Sequence, residues 1–212
     1  MKISVMSLFP EIIESSLKGL VGKAIDRKIA ELNLLDLKDF SQNQYGSVDD
    51  SPYGGGEGMV ISIEPLEACL SAIKKPGKII FLTPQGKIFD QNTAIELSSL
   101  KELTLVCGRY EGIDQRFIDS YVDEEISIGD YILSGGEIAA SVVIDAILRN
   151  KENVIGNQVS VKNDSLSKGT LKGHIYTRPN EYKEKKVPEI LLSGDHKKIE
   201  EWKIGNSLWV TR

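Results

Sequence analysis

Cysteine is scarce. Only Cys69 and Cys107 occur, far apart, so neither a disulfide framework nor a cysteine-based zinc site is available. A reducing cytoplasm suits such a chain. No signal peptide is expected, because the opening MKISVMSLFP has no apolar run behind a basic start. No segment approaches the roughly 20 apolar residues that span a bilayer. Both common phosphate fingerprints are missing: neither G-x-x-x-x-G-K-[ST] nor G-x-G-x-x-G occurs. That argues against the usual NTPases and doubly wound dehydrogenases.

What is present is enough for a soluble core. Hydrophobic residues make up 41% of the 212 and charged residues 27%. The net charge of −5 alone speaks against nucleic acid, but it is unevenly spread. Residues 1–150 hold 14 Lys+Arg and 23 Asp+Glu, whereas 151–212 hold 12 and 8. A basic tail on an acidic body can carry a polyanion contact that the average conceals.

Strand and helix patterns alternate along the first 150 residues. Ile3–Leu8 reads as a buried strand, Glu11–Ala30 as one amphipathic helix and Leu32–Leu37 as a second strand. A glycine-rich loop, Ser47–Met59, follows, and Pro65 suits the first turn of a helix reaching about Ile73. Three strand–loop–helix units come next: KIIFLTPQG, with Asp90 as a helix cap; LTLVCGRYEG, before a helix near Ile113–Ser120; and EISIGDYILSGGE, before a helix over about Glu137–Leu148. The pattern predicts an α/β fold with a largely parallel sheet and helices on both faces. The last helix is apolar on nearly every side, which implies burial within one subunit or across a dimer interface. Beyond Arg149 the chain turns polar, then offers a short amphipathic helix that Asp195 can cap.

Ligands of open α/β sheets bind beyond the carboxyl ends of the strands. Three loops meet that condition: TPQG, CGRYEG and SIGDYILSGG. One such loop is explained by a tight turn; three together favour a site. Without phosphate fingerprints, the fitting guest is one that wants backbone groups and apolar walls. Gly129, Gly135 and Gly136 allow close backbone approach. Ile128, Tyr131, Ile132 and Leu133 can wall an adenine, and Glu111 can face an amino or sulfonium cation.

These segments, with SLFPE, VDDSPYGGGEGM, NDS, YTRP and VPEILLSGDH, occur in an order and spacing that resembles bacterial tRNA (guanine-N1)-methyltransferases. That family belongs to the trefoil-knot (SPOUT) class of S-adenosylmethionine-dependent enzymes. The resemblance covers essentially the whole chain. It implies methyl transfer to N1 of the guanine 3′ of the anticodon in tRNA. It further implies a cytoplasmic homodimer with active sites at the subunit interface and a deep C-terminal trefoil knot in the sheet domain.

Carried over by position, the cofactor pocket is Leu82, Thr83, Pro84, Gln85, Gly108, Tyr110, Glu111, Ser127, Ile128, Gly129, Asp130, Tyr131, Ile132, Leu133, Gly135 and Gly136. Asp164 of NDS matches the general base and Arg149 the arginine that works with it. The target guanine would meet Tyr53, Gly54, Gly55, Gly56 and Gly58. The implied layout is a knotted cofactor-binding domain over 1–155, a mobile linker over 156–175 and a small helical tRNA-binding domain over 176–212. Lys183, Lys185, Lys186, Lys197, Lys198 and Arg212 are candidates for phosphate contact. His174 and His196 read as surface or turn residues, and Trp202 and Trp209 as packing anchors.

The chain departs from its relatives at three places. Lys172 stands where they commonly carry an acid, Glu57 where they often carry proline, and the sequence ends at SLWVTR where many continue. Lys172 and the short end motivate an alternative, a knotted S-adenosylmethionine-binding protein with weak or no activity. A related enzyme acting on ribose 2′-hydroxyls or rRNA is a second one. No metal-ligand cluster stands out, so a role for Mg2+ is not readable from the sequence, and no membrane partner is expected.

Overall fold

Alternation along the strands decides the architecture, because successive side chains of a strand face opposite sides of the sheet. The computed structural model describes residues 1–42, 46–154, 166 and 170–209. They divide into two compact units, Met1–Gly156 and Asn157–Arg212.

The first unit is built on β1 (Lys2–Ser7), β2 (Glu31–Asp36), β5 (Lys78–Ile88), β6 (Glu102–Cys107) and β7 (Glu124–Ser127). They form one sheet in the order β2-β1-β6-β5-β7, with every pairing parallel. Val5, Ile80, Leu82, Leu105 and Cys107 point to one face. There they pack under α1 (Pro10–Ser16), α2 (Gly19–Asp26), α4 (Gln91–Ser98) and α6 (Gly136–Arg149). Met6, Ile79, Phe81 and Val106 point to the other face, under α3 (Ile63–Ser71) and α5 (Gln115–Tyr121). The near-continuous apolar strands thus have helices on both sides, as parallel sheets require.

Four local expectations are revised. The helix expected over Glu11–Ala30 is two. Leu17 closes α1 by donating its N–H to the Ile13 carbonyl, Lys18 is extended, and Gly19 opens α2 at φ +71°. Periodicity hid the break because Ile13, Leu17, Val21 and Ala24 all reach the same core.

TPQG is not a loop after β5 but an irregularity inside it. Leu82 pairs with Ile126 and so does Lys87, and the residues between bulge out. Gly86 sits so close to β7 that a Cβ would lie 2.4 Å from the Glu125 carbonyl carbon. The helix after CGRYEG starts two residues later than expected, at Gln115. Asp114 caps it by accepting from the Arg116 N–H at 2.9 Å.

Finally, α6 is not buried all round. Val143, Ile144 and Ile147 are fully buried, but Ile138 and Val142 are about half exposed, at 48% and 45%. With Asp145 and Arg149 they form one exposed stripe along the helix.

Between β2 and α3, β3 (Asp49–Asp50) pairs antiparallel with β4 (Val60–Ile61) and closes the glycine-rich loop into a hairpin. In the second unit Glu181–Tyr182 pairs with Lys185–Lys186, and Leu208–Trp209 with Thr170–Leu171. Helices Glu189–Leu192 and His196–Gly205 lie between them in the chain, the second capped by Asp195 onto the Lys198 N–H. Trp202 packs with Tyr176 at 6.4 Å between ring centroids.

Candidate active site

The carboxyl ends of β5, β6 and β7 bring three segments into direct contact. Strand β5 touches both others, its bulge reaching β7 and its Phe81 reaching the segment after β6. Its Gly86 lies on Glu125 and Ile126, and the Phe89 N–H donates to the Ser127 carbonyl at 2.8 Å. A Cβ on Gly108 would meet the Phe81 ring at 3.0 Å. The other two segments are stitched backbone to backbone. The Gly136 N–H donates to the Gly108 carbonyl at 2.8 Å, and Arg109 bridges to Gly135. A Cβ on Gly136 would lie 2.8 Å from the Cys107 Cα, so only glycine permits this approach.

Local turns shape each loop. The Ser127 hydroxyl donates to the Gly129 carbonyl at 3.1 Å and accepts from the Gly129 N–H at 3.2 Å. Gly129 has φ +151° and lies under the Tyr131 ring. The Tyr131 N–H donates back to the Gly129 carbonyl. Thr83 accepts weakly from the Gln85 N–H at 3.4 Å. Tyr110 holds φ +59°, an uncommon left-handed conformation for an aromatic residue, and the residue is 55% exposed. Leu82, Thr83, Ser127 and Gly136 are buried. Pro84, Gln85, Glu111, Asp130, Ile132 and Leu133 are exposed, and Gly108, Ile128 and Gly135 are half-buried.

The glycine-rich hairpin is tied to this cluster. The Glu111 N–H donates to the Met59 carbonyl at 3.0 Å, and the Ile61 N–H to the Gly112 carbonyl at 3.0 Å. The Glu111 side chain lies against Gly58, where a Cβ would be 2.7 Å from its Cγ. Gly54, Gly55, Gly56 and Gly58 all have positive φ, so the hairpin tip is a conformation that side chains resist. Tyr53 at its tip is fully exposed. At the far side of the loop, Arg116 forks onto Asp114 at 2.9 and 2.7 Å. Those bonds hold the Asp114 carboxyl below its ordinary range.

Asp164 is outside the described residues. Arg149 ends α6, whose first residue is at the loop cluster. Fourteen residues at about 1.5 Å per residue put the two ends roughly 20 Å apart. Arg149 instead lines a cavity of about 200 Å³ with Leu20, Val21, Asp145 and Val154. Lys172 and Glu57 are exposed.

Sequence reasoning overlooked one buried group. Glu137, only 1% exposed, accepts from the Ser7 hydroxyl at 2.9 Å and from the Arg109 Nε at 3.2 and 3.3 Å. Arg109 also stacks over Phe9, 4.4 Å from the ring centroid. The one hint in the sequence is an acid among the apolar residues that open α6. Among the described residues, no group of three or more His, Cys, Asp or Glu could hold a metal ion. No helix among them is long and apolar enough to cross a membrane.

A second cavity, of about 610 Å³, lies by α1, α2 and β2, away from these loops. Glu11, Glu14, Asp26, Asp36 and Asp39 line it, a charge unsuited to RNA.

A parallel sheet covered by helices on both faces, with three loops gathered at its carboxyl end, defines an α/β protein. More narrowly, the chain belongs to the tRNA (Guanine-1)-methyltransferase TrmD family, whose model matches residues 1–212. It is similar to a protein of Finegoldia magna named tRNA (guanine-N(1)-)-methyltransferase. The two are 44% identical over 205 residues, 96% of this chain and 88% of that protein. Proteins of the same name from Fusobacterium nucleatum and Mycoplasmopsis synoviae are each 46% identical, covering 98% and 100% of this chain and 87% and 94% of their own lengths.

Proposed function

We propose that the protein transfers a methyl group from S-adenosylmethionine to N1 of the guanine 3′ of the anticodon in tRNA. One observation carries the reading: the three carboxyl-end segments meet, and Glu111 joins them to the glycine-rich hairpin at Gly58. A cofactor loop and a base-binding loop are thereby adjacent.

The residues fit the cofactor. Across 83–86, 108–112 and 128–135 the charged side chains are Arg109, Glu111 and Asp130, and Arg109 is already paired with Glu137. What remains is acidic, suited to a sulfonium and an amino group and not to a phosphate. Tyr110, Ile132 and Leu133 offer apolar surface for the adenine, and Gly108, Gly129 and Gly135 admit close backbone approach. When bound, S-adenosylmethionine supplies an electrophilic methyl on sulfur.

The protein must make guanine N1 a nucleophile. A carboxylate within hydrogen-bond reach accepts the N1 proton, the role assigned to Asp164. Negative charge then grows on O6, and the Arg149 guanidinium offsets it. The hairpin holds the base in line with the methyl.

Arg149 lies too far from its own loops for that role, which supports a homodimer in which it serves the partner's site. The exposed stripe Ile138–Val142–Asp145–Arg149 supplies a surface for the second subunit. The trefoil knot belongs to the same reading. The close approaches of Gly86 to β7 and of Gly136 to the end of β6 fit it. The same reading has 176–212 grip tRNA in the cytoplasm.

The test is methyl transfer to transcripts carrying guanine or adenine 3′ of the anticodon, with the product nucleoside identified by mass spectrometry. Expected are 1-methylguanine from the guanine transcript alone, and a fall of at least ~100-fold in turnover for Asp164→Ala with cofactor binding kept. A fully active Asp164→Ala enzyme would remove Asp164 from the mechanism. No transfer by the unaltered protein to either transcript would leave the binding reading and the rRNA reading.

A further inference from the structure

Arg109 is the one cation in the three loop segments, and it stands two residues from Glu111. Left alone, it would repel a sulfonium from the site the loops build. It is not left alone. Its Nε faces both oxygens of Glu137, at 3.3 and 3.2 Å, and its side chain is 19% exposed against 1% for Glu137.

Ser7 fixes the acid by donating to Oε1, and the Phe9 ring covers the guanidinium. Gly135 lies directly on the pair: a Cβ there would be 2.5 Å from Glu137 Oε2 and 2.6 Å from Arg109 Nε. The pair is therefore the floor of the loop cluster. Glu137 also sits in the first turn of α6, where a carboxylate is favoured.

We propose that Glu137 and Arg109 form a positioning pair that tunes the charge of the cofactor site. By cancelling the Arg109 charge beneath Gly135, Glu137 lets the site favour a cationic ligand over the neutral by-product of the same shape. The inference rests on the S-adenosylmethionine reading above. It adds residues that do not touch the reacting atoms yet set the preference for sulfonium over thioether.

The measurement is calorimetric titration of the full-length protein with S-adenosylmethionine and with S-adenosylhomocysteine at low salt. The readout is the ratio of the two dissociation constants. The two ligands share every contact except the methyl and its charge, so a purely structural role would move both constants together.

Glu137→Gln keeps the size and an acceptor for Ser7 but frees the Arg109 charge. Its ratio should move about 3- to 10-fold against S-adenosylmethionine, the effect of one unit charge at roughly 10 Å in a partly solvated site. Arg109→Gln should move the ratio the opposite way. The double variant should return within about twofold of the unaltered protein, since the net charge beneath Gly135 is again zero.

Equal weakening of both ligands in the two single variants would overturn the proposal. So would failure of both singles to fold, which would make the pair a scaffold element. If the unaltered protein binds neither ligand, the cofactor reading fails and this proposal falls with it, an outcome distinct from equal weakening in the variants.

Discussion

At the scale of single residues, burial silences chemistry that the sequence leaves open. Cys69 and Cys107 are both fully buried. Burial pushes the Cys69 thiol up to about 12, with Asp36 and Asp39 adding to the effect. Burial also raises Cys107, Glu137 adds to that, and Arg109 acts against it. The thiolate is the reactive form, so both side chains are inert while the fold holds. A disulfide-exchange reagent at about pH 8 should label neither thiol in native buffer and both in denaturant. Labelling of Cys107 in the native protein would show that the floor of the loop cluster opens. The Glu137–Arg109 pair belongs to this scale as well. It joins residues 28 apart through side chains alone, and no local pattern announces such a contact.

At the scale of elements, residues that act on their neighbours were legible and contacts that depend on another strand were not. Asp90 was readable as a cap because a cap needs only the next three residues. It accepts from the Thr93 N–H and hydroxyl, both at 2.8 Å, and those bonds lower its carboxyl from 3.8. A depressed carboxyl contributes stability above its unfolded value and loses it as pH falls through the folded one. Asp90→Ala should therefore cost about 1 kcal/mol near neutrality, and the gap in thermal midpoint should close as pH drops below 3.8. A gap that persists in acid would mean the cap works through packing instead. The β5 bulge and the break before Gly19 could not be read locally. The first is set by β7, the second by a backbone angle that amphipathic spacing does not record. The loops were legible as neighbours because glycines stood where the strands had to end.

At the scale of the whole molecule, the layout of α6 sets what one chain can do. Its first turn lies in the loop cluster and its last residue, Arg149, roughly 20 Å away. If each active site is composite, two inactive chains should rescue one another. Co-expressed Arg149→Ala and Glu111→Lys subunits should recover about half the activity of each unaltered dimer in the mixed species, from its one intact site. Each variant alone should stay inactive. No recovery in an isolated mixed dimer would return Arg149 to its own subunit's site or remove it from the chemistry. Sequence gives Arg149 its role beside Asp164 only through resemblance, which records shared roles and not which subunit supplies them.

The exposed stripe on α6 has a practical consequence as well. An enzyme whose arginine must come from a neighbour has a rate that depends on its own concentration. Below the dissociation constant of the pair, turnover per chain falls in proportion to the fraction still assembled. If this protein is such an enzyme, dilution should inactivate it without unfolding it, and the amount of enzyme in the assay becomes part of the rate law.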